Sequence, residues 1–225
     1  PLPHALITGI DTSEALKLPG VTAVLTRGDL EGLDPFYGAV VRDRPFIATD
    51  KVRYQGEPVA AVAAVDLVTA EEALDLIQVE YEELPVVSDT VEALSGTGET
   101  VHDTNLCRES GYEWGDVADA FAKADHVFED TFTFPMVYHY AMEPHAVIAD
   151  YSNQGITVWS TAQHPFLVRE DLARMFGFQL QQVRVVVPYL GGGYGSKSYT
   201  KLEPLVVALS KVAGRPVRVA LTVEE

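Results

Sequence analysis

A glycine-rich segment, residues 190–198, is the first feature of the sequence that could bind a ligand. Four of the five positions 191–195 are glycine, and Tyr194 is the exception. Glycine has no Cβ, so its backbone reaches dihedral angles closed to other residues and lets a ligand approach the main chain. Exposed amides before a helix can also bind anionic oxygens. The composition therefore indicates either a ligand-binding loop or a tight structural turn.

Two common phosphate-binding patterns can be tested against this loop. The P-loop needs glycine immediately before its lysine, but Ser196 precedes Lys197. The dinucleotide pattern G-x-G-x-x-G would begin at Gly191, and Ser196 stands where its last glycine is needed. The acidic residue that should follow this pattern is also missing, because residues 214–217 occupy its place. A nucleotide-binding loop is therefore disfavoured and stays an alternative.

The composition restricts the partners of the chain. A formal net charge of −17 argues against nucleic acid, because binding to phosphates depends on clustered lysine and arginine. The sequence has no apolar run of about 18 residues and predicts no membrane span. The single cysteine, Cys107, fits a reducing compartment, so we expect a cytoplasmic protein. An iron–sulfur cluster needs about four thiolates, so any cluster must lie on another polypeptide.

The first part of the sequence alternates between strand-like and helix-like segments. Three segments have strand composition: residues 21–25, 58–65 and 78–82. The small apolar run 58–65 is typical of a strand covered on both faces. A helix is predicted over 66–77, with Thr69 and Glu72 in a capping box. Three apolar residues are predicted to form its buried face: Ala73, Leu74 and Ile77.

The periodicity is lost over residues 86–112, and the turn-rich stretch 95–100 is predicted to be part of a linker. We therefore place a first domain at 1–92, a linker at 93–112 and a second domain at 113–225.

The second domain is predicted to contain three helices and five strands, which with the first domain gives an α+β fold. The helices are predicted over 117–124, 165–176 and 202–212. Asp116 is expected to cap the first of them, and Gly177 and Gly214 to end the others. The strands are predicted over 126–134, 146–149, 156–159, 183–187 and 217–223.

Five segments of the sequence, including the glycine loop, resemble the motifs of one enzyme family. Residues 191–197 read GGGYGSK and resemble the family's GGGFG-x-K loop, with Tyr194 in place of the usual phenylalanine. Residues 160–169 resemble its S-T-Q-x-P-x-x-x-R segment with one shifted position near Ala162, and residues 139–145 resemble its H-x-x-M-E-P segment. Residues 54–60 and 69–85 resemble the hammerhead domain that opens the family's large subunit. With these segments in this order, the sequence resembles the molybdenum hydroxylases of the xanthine dehydrogenase/aldehyde oxidase type.

The resemblance implies a fold and a chemistry. The chain would be the N-terminal portion of the large molybdopterin-binding subunit, a hammerhead α/β domain followed by the first part of a mixed α/β molybdopterin-binding domain. Such enzymes hydroxylate an electron-poor carbon with oxygen from water at a molybdenum–molybdopterin cofactor, in some members a dinucleotide form. Iron–sulfur clusters and FAD would lie on partner subunits or domains. A small-molecule substrate and a dimer of the assembled complex are also implied.

The resemblance further assigns roles to single residues. Gln163 would hydrogen-bond an oxo ligand of molybdenum, and the alternative is a polar cap on the following helix. The cofactor-binding residues would be Gln163, Gly192, Gly193, Tyr194 and Gly195. The substrate pocket would be lined by Tyr194, Ser198 and His164. Lys197 is expected to pair with a carboxylate or a cofactor oxygen.

The same segments indicate which substrates are favoured and whether a side chain ligates a metal. Purine-oxidising members carry a glutamate where Ser198 stands, which favours aldehydes or N-heterocycles over xanthine. No residue is predicted to ligate a metal directly, because His139, Glu143 and His145 lack the HExxH spacing.

The resemblance also implies an incomplete active site. The family's catalytic glutamate lies far downstream of the loop, in a segment that this sequence does not contain. We therefore expect the chain alone to be inactive, with the remaining molybdopterin-binding region, an iron–sulfur subunit and a FAD subunit as its partners. A non-catalytic scaffold or assembly module of the same fold is the second hypothesis, and a nucleotide-binding protein that uses the glycine loop is the third.

Overall fold

The computed structural model describes residues 1–96 and 98–224. In the first part the strands are β1 (Ala5–Asp11), β2 (Val21–Leu25), β3 (Phe36–Tyr37), β4 (Arg44–Pro45), β5 (Lys51–Val52), β6 (Ala61–Ala64) and β7 (Gln78–Glu83). The helices are α1 (Ser13–Lys17), α2 (Leu67–Asp75) and α3 (Thr90–Ser95). The second part contains α4 (Val117–Lys123), β8 (Ala146–Ser152), β9 (Gly155–Ser160), α5 (Pro165–Phe176), β10 (Val183–Val186), α6 (Glu203–Ala213) and β11 (Val217–Ala220).

The strands of the first part pair only with antiparallel neighbours. β1 is the centre of a three-stranded sheet between β5 and β7, and β2 pairs with β6. β6 is covered by α2 on one side and by α6 on the other, as its small apolar composition predicts. The observed strand is shorter than the predicted 58–65, since only Ala61–Ala64 pair with β2.

The second part is built on a four-stranded sheet in the order β10, β9, β8, β11. β8 and β9 form an antiparallel hairpin in which Ser152 is paired with Gly155. β9 and β10 are parallel, and α5 makes the crossover that parallel strands require. Pro165 opens α5 at a position where no amide donor is needed, and Gly177 ends it in the left-handed region at φ 71°. These predicted boundaries of α5 are confirmed.

Helix α6 lies at the centre of the molecule. The eight residues 203–210 are all buried, because the helix packs against β8 and β9 on one side and against β2 and β6 on the other. The buried core therefore runs through both parts of the chain and includes Leu25 and Leu209. Phe46 of the first part stacks on Phe176 of the second, with ring centroids 6.4 Å apart.

Two predictions about α2 are wrong. Its N-cap is Asp66, whose carboxylate accepts a hydrogen bond of 2.8 Å from the amide of Thr69, so Thr69 lies inside the helix. Ala73 is buried, but Leu74 is 49% exposed. Ala73 belongs to a buried cluster with Ala15 of α1 and Val24 of β2, and Leu74 is not part of this cluster.

The predicted linker also contains structure. α3 lies across the predicted domain boundary at residue 92, capped by Asp89, and ends at Gly96. Residues 98–112 have no helix or strand, as expected, and Thr97 of the predicted turn-rich stretch lies outside the described residues. Asp89 accepts hydrogen bonds from the amides of Val91 and Glu92 and so caps this short helix, where no apolar periodicity predicted one.

The predicted strand 126–134 is wrong for this chain. The segment is extended but joins no sheet in the described residues, and its apolar side chains Phe128, Phe132 and Phe134 are 82–87% exposed. Alternation of polar and apolar side chains indicates an extended backbone with one apolar face. It does not supply the neighbouring strand whose amides and carbonyls a ladder needs.

Candidate functional site

Gln163 and the glycine loop are brought together by the two elements that precede them. Gln163 follows β9 and stands just before α5, whereas the loop follows β10, which is the parallel neighbour of β9. A buried hydrogen bond of 2.6 Å from Ser160 Oγ to Glu203 Oε1 ties the end of β9 to the start of α6. The loop is therefore held between fixed points.

The side-chain amide of Gln163 is anchored by the loop itself. Its Oε1 accepts hydrogen bonds from the amides of Gly195 at 3.1 Å and Lys197 at 3.3 Å, and its backbone amide donates to the Lys197 carbonyl at 2.8 Å. Gln163 does not cap α5, whose N-cap is His164 without a side-chain bond. In the part of the chain that the structure describes, Gln163 Nε2 has no hydrogen-bond partner. This arrangement leaves the two N–H donors of Nε2 for a ligand.

The four glycines of the loop are required for two structural reasons. A Cβ at Gly193 would lie 2.5 Å from Gln163 Cδ, and one at Gly191 would lie 2.6 Å from the Cβ of Glu143. Gly192 and Gly195 have φ angles of 90° and 103°, a region that favours glycine. The first pair is therefore required by close packing of neighbouring side chains and the second pair by backbone conformation.

Tyr194 is the one residue of the loop that carries a large side chain. It has φ 52°, in the left-handed region where a non-glycine residue is uncommon, and it is 73% exposed. Its ring lies over Gly192, where an added Cβ would meet Tyr194 Cε2 at 3.2 Å. The strained backbone thus presents the ring on the open side of the loop.

Glu143 is a residue of the site for which the sequence analysis rejected a metal-binding role and predicted no other, although it lies in the segment 139–145 that resembles the family. Its Oε2 accepts from the amide of Gly191 and from Lys197 Nζ, both at 2.8 Å. Burial raises the pKa of Glu143, but the hydrogen bonds from Lys197 and Gly191 outweigh that effect and hold its pKa below the usual value. The prediction that Lys197 pairs with a carboxylate is confirmed. Segments 139–145 and 191–197 belong together, a contact that no local periodicity indicates.

The other predicted residues lie at the edge of this arrangement. His164 is exposed, whereas Ser198 is half-buried and its amide donates to the Gly195 carbonyl at 3.1 Å. Burial and the nearby cations Lys197 and Lys201 lower the pKa of His145. No three His, Cys, Asp or Glu side chains are close enough to hold a metal ion in the described chain. None of its helices is long and apolar enough to span a membrane.

Each of the two parts of the chain matches the model of a known protein family. Residues 100–225 match the family described as "Molybdopterin cofactor-binding domain", which is more than half of the sequence. Residues 1–85 match "Aldehyde oxidase and xanthine dehydrogenase, a/b hammerhead domain". The chain belongs to the xanthine dehydrogenase/aldehyde oxidase family. Its hammerhead and molybdopterin-binding parts confirm the predicted α+β fold class.

Relatives and solved structures of this molybdenum hydroxylase family match almost the whole chain. A probable xanthine dehydrogenase subunit of Bacillus subtilis is 38% identical over 99% of the chain, and the "Nicotinate dehydrogenase large molybdopterin subunit" of Eubacterium barkeri is 35% identical over 100%. Quinoline 2-oxidoreductase of Pseudomonas putida 86 covers 99% of the chain with a TM-score of 0.84 and 33% identity. The chain spans 30%, 53% and 30% of these proteins, respectively.

Proposed function

We propose that this chain forms one wall of the cofactor site in a molybdenum hydroxylase, in which Gln163 and the loop of Gly192, Gly193, Tyr194 and Gly195 contact the molybdenum–molybdopterin cofactor. The bound cofactor supplies the redox chemistry that places a water-derived oxygen on a carbon of the substrate. Residues of this chain bind and orient the cofactor. The single observation that carries the proposal is the anchored amide of Gln163, whose Oε1 is bound by the loop amides and whose Nε2 has no partner among the described residues.

The described residues fit such a cofactor. A ligand oxygen requires donors, and the site offers Gln163 Nε2 together with the amides of Gly192, Gly193 and Tyr194, which have no hydrogen-bond partner in the described chain. Gly192 is half-buried and Tyr194 is exposed, so a ligand can approach the loop at these two residues, whereas Gly193 is buried against Gln163. Gln163 is neutral, so it orients an oxygen of the cofactor without competing as a metal ligand.

The substrate that we propose is an aldehyde or an N-heterocycle. Ser198 supplies no carboxylate to bind a purine ring, and the hydroxyl of Tyr194 lies on an exposed ring at the open side of the loop. The similar proteins include enzymes named for nicotinate and for quinoline, both of which are N-heterocycles. This choice therefore rests on Ser198 and on relatives that act on related compounds.

The hydroxyl of Tyr194 gives a test of this substrate assignment. Tyr194→Phe removes one hydrogen-bonding group and leaves the ring, so we expect the KM of polar heterocycles to rise about threefold to tenfold with little change for apolar aldehydes. Steady-state kinetics of the assembled enzyme on paired substrates measures the difference. Unchanged constants for every substrate would remove Tyr194 from the proposed pocket.

The proposed partners are the remaining molybdopterin-binding region, an iron–sulfur subunit and a FAD subunit. The exposed apolar face of residues 126–134 is a surface suited to the first of them, because it leads along the chain towards Glu143 and the open loop. Residues 126–134 should be protected from hydrogen exchange in the assembled enzyme. Rapid exchange of this segment would contradict the assignment. A cytoplasmic location and a dimeric assembly stay predictions.

The experiment that tests the proposed function compares Gln163→Ala with wild type, each purified together with its natural partners. We expect at least a tenfold loss of molybdenum and pterin per polypeptide, by metal analysis and pterin fluorescence. Side chains that hydrogen-bond the ligands of a metal typically change its affinity by about 10- to 100-fold. Gln181→Ala, at an exposed glutamine, is the matched control. Full cofactor content in Gln163→Ala would reject the proposed contact.

The same preparations distinguish the two alternatives. A non-catalytic scaffold predicts wild-type protein without molybdenum or pterin, and a nucleotide-binding protein predicts a thermal shift with nucleotides. The loop has no glycine at position 196, so we expect no such shift. The 225-residue chain alone is proposed to have no activity, and detectable oxidation of aldehyde or heterocycle by it would contradict this.

A further inference from the structure

We propose that Glu143 is a positioning residue that, through Lys197, holds the glycine loop in its ligand-binding shape. This inference rests on the proposed function, because it concerns the same loop. Glu143 lies 48 positions before Gly191 and 54 before Lys197, and its single oxygen Oε2 binds both. Since these two partners begin and end the loop, one carboxylate oxygen fixes the distance between its ends.

The burial of Lys197 makes this contact more than a surface ion pair. The side chain of Lys197 is 1% exposed and that of Glu143 is 33% exposed, so the ammonium is buried and the carboxylate is partly accessible to water. In the described chain, Nζ of Lys197 has hydrogen-bond and ion-pair contact only with Glu143. A buried ammonium without its counter-ion is costly, so the loop must either keep Glu143 or rearrange to bring Lys197 to water.

A second contact holds the same loop from the opposite side. Gln163 Oε1 binds the amides of Gly195 and Lys197, whereas Glu143 binds the amide of Gly191 and the side chain of Lys197. Lys197 therefore takes part in both contacts. The three residues between the fixed ends, Gly192 to Tyr194, keep their amides without partners in the described chain. The Glu143 contact therefore holds these amide donors in position before a ligand binds.

The packing at Gly191 supports the same role. An added Cβ there would lie 2.6 Å from Glu143 Cβ and 3.0 Å from its Cδ, so the backbone of the loop rests directly on the Glu143 side chain. Burial and the nearby Lys197 and Lys201 keep the pKa of His145 below the usual value, so this side chain does not compete with Lys197 as a second cation for Glu143. Glu143 is thus the carboxylate on which the charge of Lys197 depends.

A double-mutant cycle tests the proposal in the protein purified with its natural partners. Glu143→Gln leaves the buried ammonium unpaired, and Lys197→Met leaves the carboxylate unpaired. The variant that carries both changes removes both charges, and the amide oxygen introduced by Glu143→Gln still accepts from the Gly191 amide. We expect each single variant to exchange amide hydrogens over residues 189–198 at least about tenfold faster, and the double variant to recover most of the protection.

Two internal references make the measurement specific. Exchange over residues 203–213 of α6 reports global unfolding and should stay at the wild-type rate. The exposed pair Asp119–Lys123, whose side chains are 50% and 74% exposed, is the matched control, and its Asp119→Asn and Lys123→Met variants should leave the loop unchanged. Wild-type exchange of the loop in the single variants, or additive losses in the double variant, would overturn the positioning role.

Molybdenum and pterin contents of the same preparations separate this proposal from the proposed function. A joint rise of loop exchange and loss of cofactor supports both. Faster loop exchange with wild-type cofactor content supports the positioning role of Glu143 and contradicts the loop as a cofactor contact.

Discussion

The glycines of the loop are required for two different reasons, either their own backbone conformation or the close packing of neighbouring side chains. Gly192 and Gly195 are required by positive φ angles, whereas Gly191 and Gly193 are required because side chains from segments 139–145 and 160–163 press against them. A glycine of the second kind is sensitive to any added atom, because the side chains of Glu143 or Gln163 occupy the space that a Cβ would need. The loop therefore depends on residues about 30 to 50 positions earlier in the chain.

This dependence predicts the result of Gly193→Ala. The new methyl group would overlap Gln163, so we expect a stability loss of about 1–3 kcal/mol and displacement of the Gln163 amide from Gly195. Thermal unfolding and pterin content of the purified protein measure both effects. Gly111→Ala is the control, since it has no atoms within 4 Å and no positive φ. Equal behaviour of the two variants would show that Gln163 moves away without cost.

At the scale of elements, helix ends follow from capping residues and helix faces from tertiary neighbours. Asp66, Asp89 and Asp116 each accept amide hydrogen bonds at the start of a helix, and Gly177 and Gly214 end helices in the left-handed region. The exposure of Leu74 in α2 and the unpaired segment 126–134 depend on which other elements are present. A helix cap depends on residues next to it in the sequence, whereas the buried face of a helix and the partner of a strand depend on elements that are distant along the chain.

The observed N-cap of α2 predicts how a substitution at Asp66 changes the thermal stability of the protein. Asp66→Ala removes the acceptor of the Thr69 amide, so we expect the thermal midpoint to fall by about 2–4 °C. Asp75→Ala, at the last residue of the same helix, should leave it unchanged or slightly higher, because an acidic side chain is unfavourable at a helix C-terminus. Calorimetry on both variants decides the case. A larger effect at Asp75 would contradict the assigned cap.

At the scale of the whole molecule, the two family-defined parts share one core. The hammerhead part contributes Leu25 and Phe46, and the molybdopterin-binding part contributes Phe176 and Leu209, to the same buried cluster. Arg174 also forms an ion pair with Asp34 and donates to the Phe36 carbonyl at 2.8 Å. Such continuity indicates that the first part supports the sheet and helix from which the glycine loop extends.

The shared core predicts that the two parts unfold together. Leu25→Ala in β2 and Leu209→Ala in α6 each create a cavity at a fully buried position and should cost about 2–5 kcal/mol. Each substitution should also speed hydrogen exchange in the other part, over 203–213 and 21–25 respectively. Leu16→Ala, at an exposed leucine, is the control. Effects confined to the mutated part would mean that the two parts are stabilised independently.

Helix ends, strand segments and the family resemblance could all be predicted from the order of residues along the chain. Pro165, Gly177 and Gly214 set helix ends through their own backbone preferences, and β-branched runs set strands such as Val21–Leu25. The family resemblance around Gln163 and the glycine loop likewise required only the order of residues along the chain, and the matches to residues 1–85 and 100–225 confirm it. These features depend on neighbours in sequence and can be derived from it.

The contacts that hold the glycine loop could not be predicted from the sequence, because they join segments that are distant along the chain. The pairing of Glu143 with Gly191 and Lys197, and the burial of Lys197, depend on segments about 50 positions apart meeting after the sheet has formed. The periodicity of a single segment carries no information about such a meeting. The same reason explains residues 126–134, where the alternation is real and the partner strand is not among the described residues.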